Sequence, residues 1–514
     1  MEEQPIDYQG ESGEGRSRRR SFERSSPMAP DRCGEGHVTI DTLSDDALLE
    51  IFSSVQQISH PYESFWTSFW EMRWWIPLVH TCQRWRHIIF ASPLRLRLVV
   101  PCRPPSAARK WESLDIWPPF PISVLCSSTK LGDYGSVVAA LGHRERVFEI
   151  SFDFQGDFEV ETVAAVMEKP FPALKSLSLS SSDDVEDGVE RYIPIPEAFL
   201  GGSAPSLRTL ALSFVRFPAL PRLLFSAPNL VSLTLENIPT IHCEAMATCL
   251  AALINLERLR IEGFARRSHY HHTSPPSFPR AVVPALTFFQ FKGFDEYLDD
   301  FVARIDAPIL RTILITFEFE FGEEASNFHI PQLHRFISSA ERFKLPNRAF
   351  LWFAYATGCG HVSLGLEPLL PGSDRFLQIK CLQDSQMKLV CRELSPLLSR
   401  VDCLDLYVSM FMPVQESIPW LDIFRPFFAV QSLRVTEERW QSVAPVLREL
   451  TGERAMEVLP SLRTLVLGEF QPCAPIMAAL EPFIAARQLS GHPVAIDIHH
   501  WHTDGWECGV QSQD

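Results

Sequence analysis

Three stretches hold residues whose types could do chemistry. His269-Tyr270-His271-His272 and His499-His500-Trp501-His502, with Cys508 beyond the second, carry imidazoles and a thiol of the kinds that ligate zinc. Neither has the paired spacing of a zinc finger or of His-Glu-x-x-His, so both are expected to be loop and terminal-strand histidines without a metal. Thr357-Gly358-Cys359-Gly360-His361 has the glycines of a phosphate-cradling loop but lacks its Lys-Ser/Thr. No Gly-x-Ser-x-Gly elbow occurs, and acidic pairs such as Asp183-Asp184 and Asp299-Asp300 are ordinary surface runs. No catalytic residue and no cofactor are assigned, which leaves recognition as the chemistry to explain.

Recognition residues need a frame, and the frame is repeated. Leu174-Lys175-Ser176-Leu177-Ser178-Leu179, Leu207-Arg208-Thr209-Leu210-Ala211-Leu212, Leu230-Val231-Ser232-Leu233-Thr234-Leu235 and Leu462-Arg463-Thr464-Leu465-Val466-Leu467 all fit LxxLxL, each after a proline at Pro172, Pro205, Pro228 or Pro460. Looser copies are Val147-Ile150-Phe152, Leu256-Leu259-Ile261, Leu286-Phe289-Phe291, Leu310-Ile313-Ile315, Val401-Leu404-Leu406 and Val430-Leu433-Val435. Starts at 147, 174, 207, 230, 256, 286 and 310 lie 27, 33, 23, 26, 30 and 24 residues apart, and this resembles leucine-rich repeats, whose period is roughly 20 to 29. The resemblance implies short strands adding side by side in a parallel sheet, with helices such as 244–253 and 298–305 covering its apolar side. An Asn three positions past the last Leu is absent, since Ser182, Val215, Ile238, Phe264, Phe294, Glu318 and Phe470 stand there, so uneven coils are expected. Between Phe319 and Arg400 the pattern fades, and only His361-Leu364-Leu366 resembles a copy.

Residues flanking the second Leu of each copy face away from the core. In the first copies they are small and polar. In the middle ones they are Arg258, Arg260, Phe288 and Gln290, cations beside an aromatic ring, which is the composition of interface anchors. These four are the candidate substrate-binding patch, suited to an acidic or phosphorylated segment; a solvated or internally paired strand face is the alternative.

Ahead of the repeats, Leu43-Ser44-Asp45-Asp46-Ala47-Leu48-Leu49-Glu50-Ile51-Phe52 reads as a helix capped by Ser44, with Asp45 and Asp46 in its first turn. Leu78, Cys82, Trp85 and Ile89 share one face of a second helix that stops near Ala91, before Pro93. These stretches, with Ser92-Pro93-Leu94 and the following Trp111-Glu112-Ser113-Leu114-Asp115-Ile116-Trp117-Pro118, resemble the F-box proteins abundant in mushroom-forming fungi. Ser44 stands where that family usually has Pro, and the spacer from Ser53 to Trp75 is longer than most. The resemblance implies a trihelical module that binds a Skp-type adaptor and, through it, a cullin, in an SCF ubiquitin ligase. The residues assigned to adaptor binding and module packing are Leu43, Leu48, Ile51, Leu78, Val79, Cys82 and Trp85, with Cys82 as a small core residue. Trp66, Trp70 and Trp74 in the spacer recur every four residues as a ridge expected to close the module.

The fold class is α+β to α/β, an N-terminal trihelical F-box followed by an irregular leucine-rich-repeat solenoid with a parallel sheet. Residues 1–36 read as a disordered tail, 37–100 as the helical module, 101–145 as a Pro-rich connection with the first capping elements, 146–500 as the solenoid and 501–514 as a tail. A charge of −16, from 63 acidic and 47 basic side chains, argues against a general nucleic-acid or anionic-membrane surface. No apolar run reaches the roughly 18 residues of a membrane span, and no signal segment opens the chain. With twelve cysteines but no CxxC and no Asn-x-Ser/Thr sequon, the cytoplasm or nucleus is expected. Two other readings stand beside the ligase receptor: a repeat scaffold acting outside a ligase, and an unrecognised enzyme in the C-terminal part.

Overall fold

A computed structural model describes residues 40–58, 75–91, 98–101, 121–127, 134–154, 160–181, 192–239, 242–263, 280–318, 328–340, 343, 346–356, 359–367, 376–381, 384–408, 419–435, 443, 446–448, 450, 454, 456–467 and 474–498. Trp66, Trp70, Trp74, both N-terminal and C-terminal tails, most of the Pro-rich connection and both multi-histidine stretches lie outside them. By contact the chain divides into two units, Met1–Trp74 and Trp75–Asp514, and the helices expected as one module fall on both sides of this division.

In the first unit a 3-10 turn, Ile40–Thr42, leads into α1, Asp45–Ile58. Ser44 caps it as expected: its Oγ accepts the Ala47 N–H at 3.2 Å, and Asp45 and Asp46 occupy the first turn, where the helix dipole favours them. The second unit opens with α2, Trp75–Thr81, and α3, Gln83–Ala91. The sequence predicts one helix carrying Leu78, Cys82, Trp85 and Ile89; the structure breaks it at Cys82. There the Cys82 Sγ accepts the Trp85 N–H at 3.4 Å, and the Arg86 Nε donates to the Val79 carbonyl at 2.9 Å, so one side chain serves the start of α3 and the other the end of α2. Cys82 is exposed, a helix-terminus residue rather than a core one.

Among the described residues twenty strands follow. They are β1 Leu98–Pro101, β2 Ile122–Ser127, β3 Val147–Phe154, β4 Ser176–Ser181, β5 Ile193–Pro194, β6 Thr209–Ser213, β7 Val215–Arg216, β8 Ser232–Glu236, β9 Arg258–Glu262, β10 Ala281–Val282, β11 Phe288–Gly293, β12 Ile305–Asp306, β13 Thr312–Phe317, β14 Arg348–Ala356, β15 Cys359–Glu367, β16 Phe376–Cys381, β17 Cys403–Val408, β18 Ser432–Val435, β19 Thr464–Leu467 and β20 Ala495–Ile498. Sixteen form one sheet in the order β1-β2-β3-β4-β6-β8-β9-β11-β13-β16-β15-β14-β17-β18-β19-β20. The sheet begins at Leu98, inside the stretch assigned from sequence to the helical module, and takes in β2 from the Pro-rich connection. Every strand-forming LxxLxL copy, strict or loose, from β3 to β19 lies in it.

The repeat has a local cause. In most copies the first apolar residue donates its N–H to the carbonyl three residues back, as in Leu174 to Phe171, Leu207 to Ala204, Leu230 to Ala227, Leu310 to Ala307 and Leu462 to Leu459. Pro172, Pro205, Pro228, Pro308 and Pro460 therefore sit at the second position of a β-turn, where their fixed φ suits the chain. The next residue then bonds to its equivalent one unit earlier: Arg208 N–H to the Lys175 carbonyl, Val231 to Arg208, Glu257 to Val231, Thr287 to Glu257 and Arg311 to Thr287, each at 2.8 or 2.9 Å. Asn229 and Asn255, one position before the first Leu, add side-chain amide bonds to the Pro205 and Pro228 carbonyls at 2.9 and 3.1 Å. Side-chain ladders thus exist, but at the turn before the strand rather than past it.

Leu177, Leu210, Leu233, Leu259, Phe289 and Ile313, one per unit, are all within 1% of full burial, and each contributes on the order of 1.5 to 3 kcal/mol. Helices between the strands include α4 Tyr134–Gly142, α5 Val160–Val166, α6 Leu220–Phe225, α7 Cys243–Ala252, α8 Asp295–Arg304, α9 Pro331–Ser339 and α10 Asp384–Glu393, with α4 next to α5 and α6 to α9 successive neighbours; Phe289 meets Phe301 of α8 and Phe336 of α9 at ring distances of 6.0 and 5.8 Å.

The faded region is an interruption of the sheet's direction. β14, β15 and β16 form an antiparallel meander, with β16 parallel to β13 and β14 parallel to β17. β15 alone in the sheet runs against its neighbours, so His361-Leu364-Leu366 is not a copy of the repeat. Cys126, near the end of β2, is disulfide-bonded; among the described cysteines Cys82, Cys243, Cys249, Cys381, Cys391 and Cys403 are free thiols. No helix among the described residues is long and apolar enough to cross a membrane.

Candidate functional site

The residues assigned to adaptor binding separate by exposure. Leu48 and Val79 are buried, at 0% and 6%, and serve packing. Leu43, Leu78 and Trp85 are partly exposed, Cys82 is exposed, and Ile51 of α1 is 42% exposed. A β-branched apolar side chain left in water on a capped helix is available for a partner; Leu48 on the same helix is not.

On the sheet, register brings the four predicted substrate-binding residues together on the face opposite the buried leucines. Phe288 pairs with Arg258 and Gln290 with Arg260 across β9 and β11. Arg258 is exposed and Phe288 half-buried. Arg260 and Gln290 have a further partner: Glu262 accepts the Arg260 Nε at 2.6 Å and the Gln290 Nε2 at 2.9 Å on one oxygen. Burial opposes the Arg260 charge, but the Glu262 bond and charge, with Glu236, outweigh it and hold the guanidinium above its ordinary value. The Arg pair is therefore not two equivalent cations. Arg258 faces water and Arg260 is committed to a carboxylate only 6% exposed.

Further along the same face lies a cluster absent from the sequence reading. Asp405, 1% exposed, accepts from Arg348 Nε at 2.6 Å and from its Nη2 as well, takes a thiol bond from Cys403 at 3.5 Å, and stands 3.9 Å from Arg434 Nε. Burial and then the Asp405 charge push the Cys403 thiol up to about 11, so it is a proton donor and not a nucleophile. Above this ion cluster, Phe350 stacks on Phe376 at 5.5 Å and Trp352 meets Tyr407 at 6.4 Å. Gly365 makes the first stack possible: a Cβ there would lie 1.9 Å from the Phe350 ring. Three of these aromatics sit on β14 and β16, in the region where LxxLxL fades; period-two alternation of Phe350 with Trp352 was the signal available.

Among the described residues no group of three or more His, Cys, Asp or Glu side chains is placed to hold a metal. The described part of this face carries half-exposed rings between guanidinium groups, of which Arg260 has the buried Glu262 as counter-charge and Arg348 and Arg434 have the buried Asp405.

No protein-family model matches the chain, and neither does any curated protein. Among solved structures it is similar to the leucine-rich repeat-containing protein LegL7 from Legionella pneumophila, at 10% identity over 67% of this chain and 99% of that one, with a TM-score of 0.22; the repeat architecture rests on the strand registers themselves.

Proposed function

We propose that the chain is the substrate-recognition subunit of an SCF-type cullin ubiquitin ligase, with the segment from Leu43 to Trp85 engaging a Skp-type adaptor and the open sheet face engaging a protein substrate. The observation that carries the first half is the Ser44-capped α1 with Ile51 exposed on it, together with the sequence resemblance of 43–52 and 78–86 to an F-box. What supports the second half is the ring-and-guanidinium composition of the sheet face from β9 to β18. Such a receptor needs no catalytic group, because it contributes by holding the substrate near a loaded conjugating enzyme.

The test is co-purification of the full chain with a Skp-type adaptor and cullin, comparing wild type with the surface change Ile51→Asp, once circular dichroism and thermal denaturation have shown the variant folded like wild type. Retention of both partners by wild type and at least a tenfold loss in the variant is expected. Adaptor without cullin would favour a scaffold acting outside a ligase. Recovery of neither would reject the adaptor assignment while leaving the sheet face as a binding surface.

A further inference from the structure

Two lysines on the open sheet face flank a hydroxyl. Lys292 pairs in register with Thr316, and Thr316 with Lys380, so with strands about 4.8 Å apart the two Cα atoms lie about 10 Å apart. Both ammonium groups can reach a point above Thr316. Next in register to Lys380 is Ser363, 2% exposed, and His361 lies two residues further along the same face of β15. Two carboxylates stand beside Lys292: Glu262, its register neighbour on β9, is buried and already taken by Arg260 and Gln290, while Glu318 has its Oε1 3.2 Å from the Lys292 Nζ, with both side chains substantially exposed, 48% for the lysine and 34% for the glutamate. No carboxylate among the described residues lies within ion-pair distance of Lys380; instead burial and the Lys292 charge hold its ammonium below the ordinary value. Burial and the Lys380 charge likewise push His361 down to about 4.

Two cations brought together and partly dehydrated repel one another, a cost that a bound anion removes. A hydroxyl between them donates to an oxyanion, and the neutral imidazole beside them adds a donor without adding repulsion. Glu318 occupies one of the two ammonium groups from the rim and is exposed enough to be displaced. We propose that Lys292, Thr316 and Lys380, with His361 and Ser363 at the edge, form a binding site for a phosphate monoester carried on an extended peptide segment, Glu318 acting as its resident competitor. A phosphate has the oxygens to meet both lysines and the hydroxyl together, and the half-exposed rings of Phe376 and Phe288 on the same face provide stacking for residues flanking it. This deepens the substrate-binding half of the proposed function; its test uses no adaptor, so its failure and a failure of adaptor binding are read separately.

The full chain is titrated with inorganic phosphate against chloride at matched ionic strength, following the melting temperature, and with a degenerate peptide library bearing one phosphothreonine or an unmodified threonine. Expected results are a concentration-dependent rise in melting temperature with phosphate, at least tenfold preference for the phosphorylated library, and loss of both in Lys292→Ala/Lys380→Ala. Glu318→Gln, which removes the competitor, should tighten phosphopeptide binding several-fold; a merely structural role for Glu318 would not. A phosphate response unchanged in the double variant, or no response in wild type, overturns the site. Stabilisation by inorganic phosphate without preference for the phosphorylated library overturns the peptide assignment in favour of a free phosphate compound.

Discussion

Gly263 closes β9 with φ +64°, its N–H on the Lys292 carbonyl at 2.8 Å, and a Cβ placed there would lie 1.7 Å from the Asn237 Oδ1. Gly263→Ala meets both a left-handed backbone and an occupied space, so a loss of about 1 to 3 kcal/mol in urea denaturation is expected. His361 gives a pH prediction with a definite sign. Its folded value of about 4 lies below the ordinary 6.5, so between those pH values the unfolded chain takes up a proton that the folded chain refuses. Stability therefore falls as pH drops from 6.5 towards 4 and the loss is complete below 4, on the order of 1 kcal/mol once solvent screening is allowed for. His361→Gln should flatten that part of a pH–melting curve. At this scale the sequence was partly legible. LxxLxL fixes register, so Arg258, Phe288, Arg260 and Gln290 could be placed side by side from spacing alone. Glu262, two residues past Arg260 on the same strand, shares its face and could have been read as its partner. The Arg348–Asp405 pair could not, because 57 residues and a reversal of strand order separate its members.

Among the elements, the strands were legible because turn, proline and apolar spacing agree at each copy. The break between α2 and α3 was not, because Cys82 sits where a continuous apolar stripe also accounts for it, and only the hydrogen bond from Trp85 tells an N-cap from a buried thiol. The distinction has a measurable consequence. If Cys82 caps α3, Cys82→Ser keeps an acceptor for the Trp85 N–H and leaves stability within about 0.5 kcal/mol of wild type, whereas Cys82→Val removes the acceptor and costs about 1 kcal/mol. A cysteine in a packed core would show the reverse order, since Val fills an apolar site and Ser places a hydroxyl in it. Thermal denaturation of the two variants decides between them.

For the whole solenoid, β15 is the seam. Leu364, fully buried, lies at its middle, opposite Leu351 of β14 and Ile379 of β16. Every backbone bond that connects the parallel strands before the meander to those after it passes through this strand within the sheet. Repeat proteins draw stability from each unit and its contacts with the next, so damage spreads only as far as neighbours depend on it. Leu364→Pro removes a ladder donor and a packed side chain from a strand bonded on both edges. Hydrogen exchange should then show β14, β15 and β16 losing protection while β6, β8 and β9, tied to each other by registers that do not involve the seam, keep most of theirs. In wild type the same measurement should find β20, bonded on one edge only, exchanging ahead of β9 and β11, which are bonded on both. Uniform loss of protection across all sixteen strands of the variant would mean that the sheet unfolds as one cooperative block, in which case the helices that pack across the seam, α9 against α11 Ser395–Leu398 among them, couple its two sides more strongly than the strand ladder does.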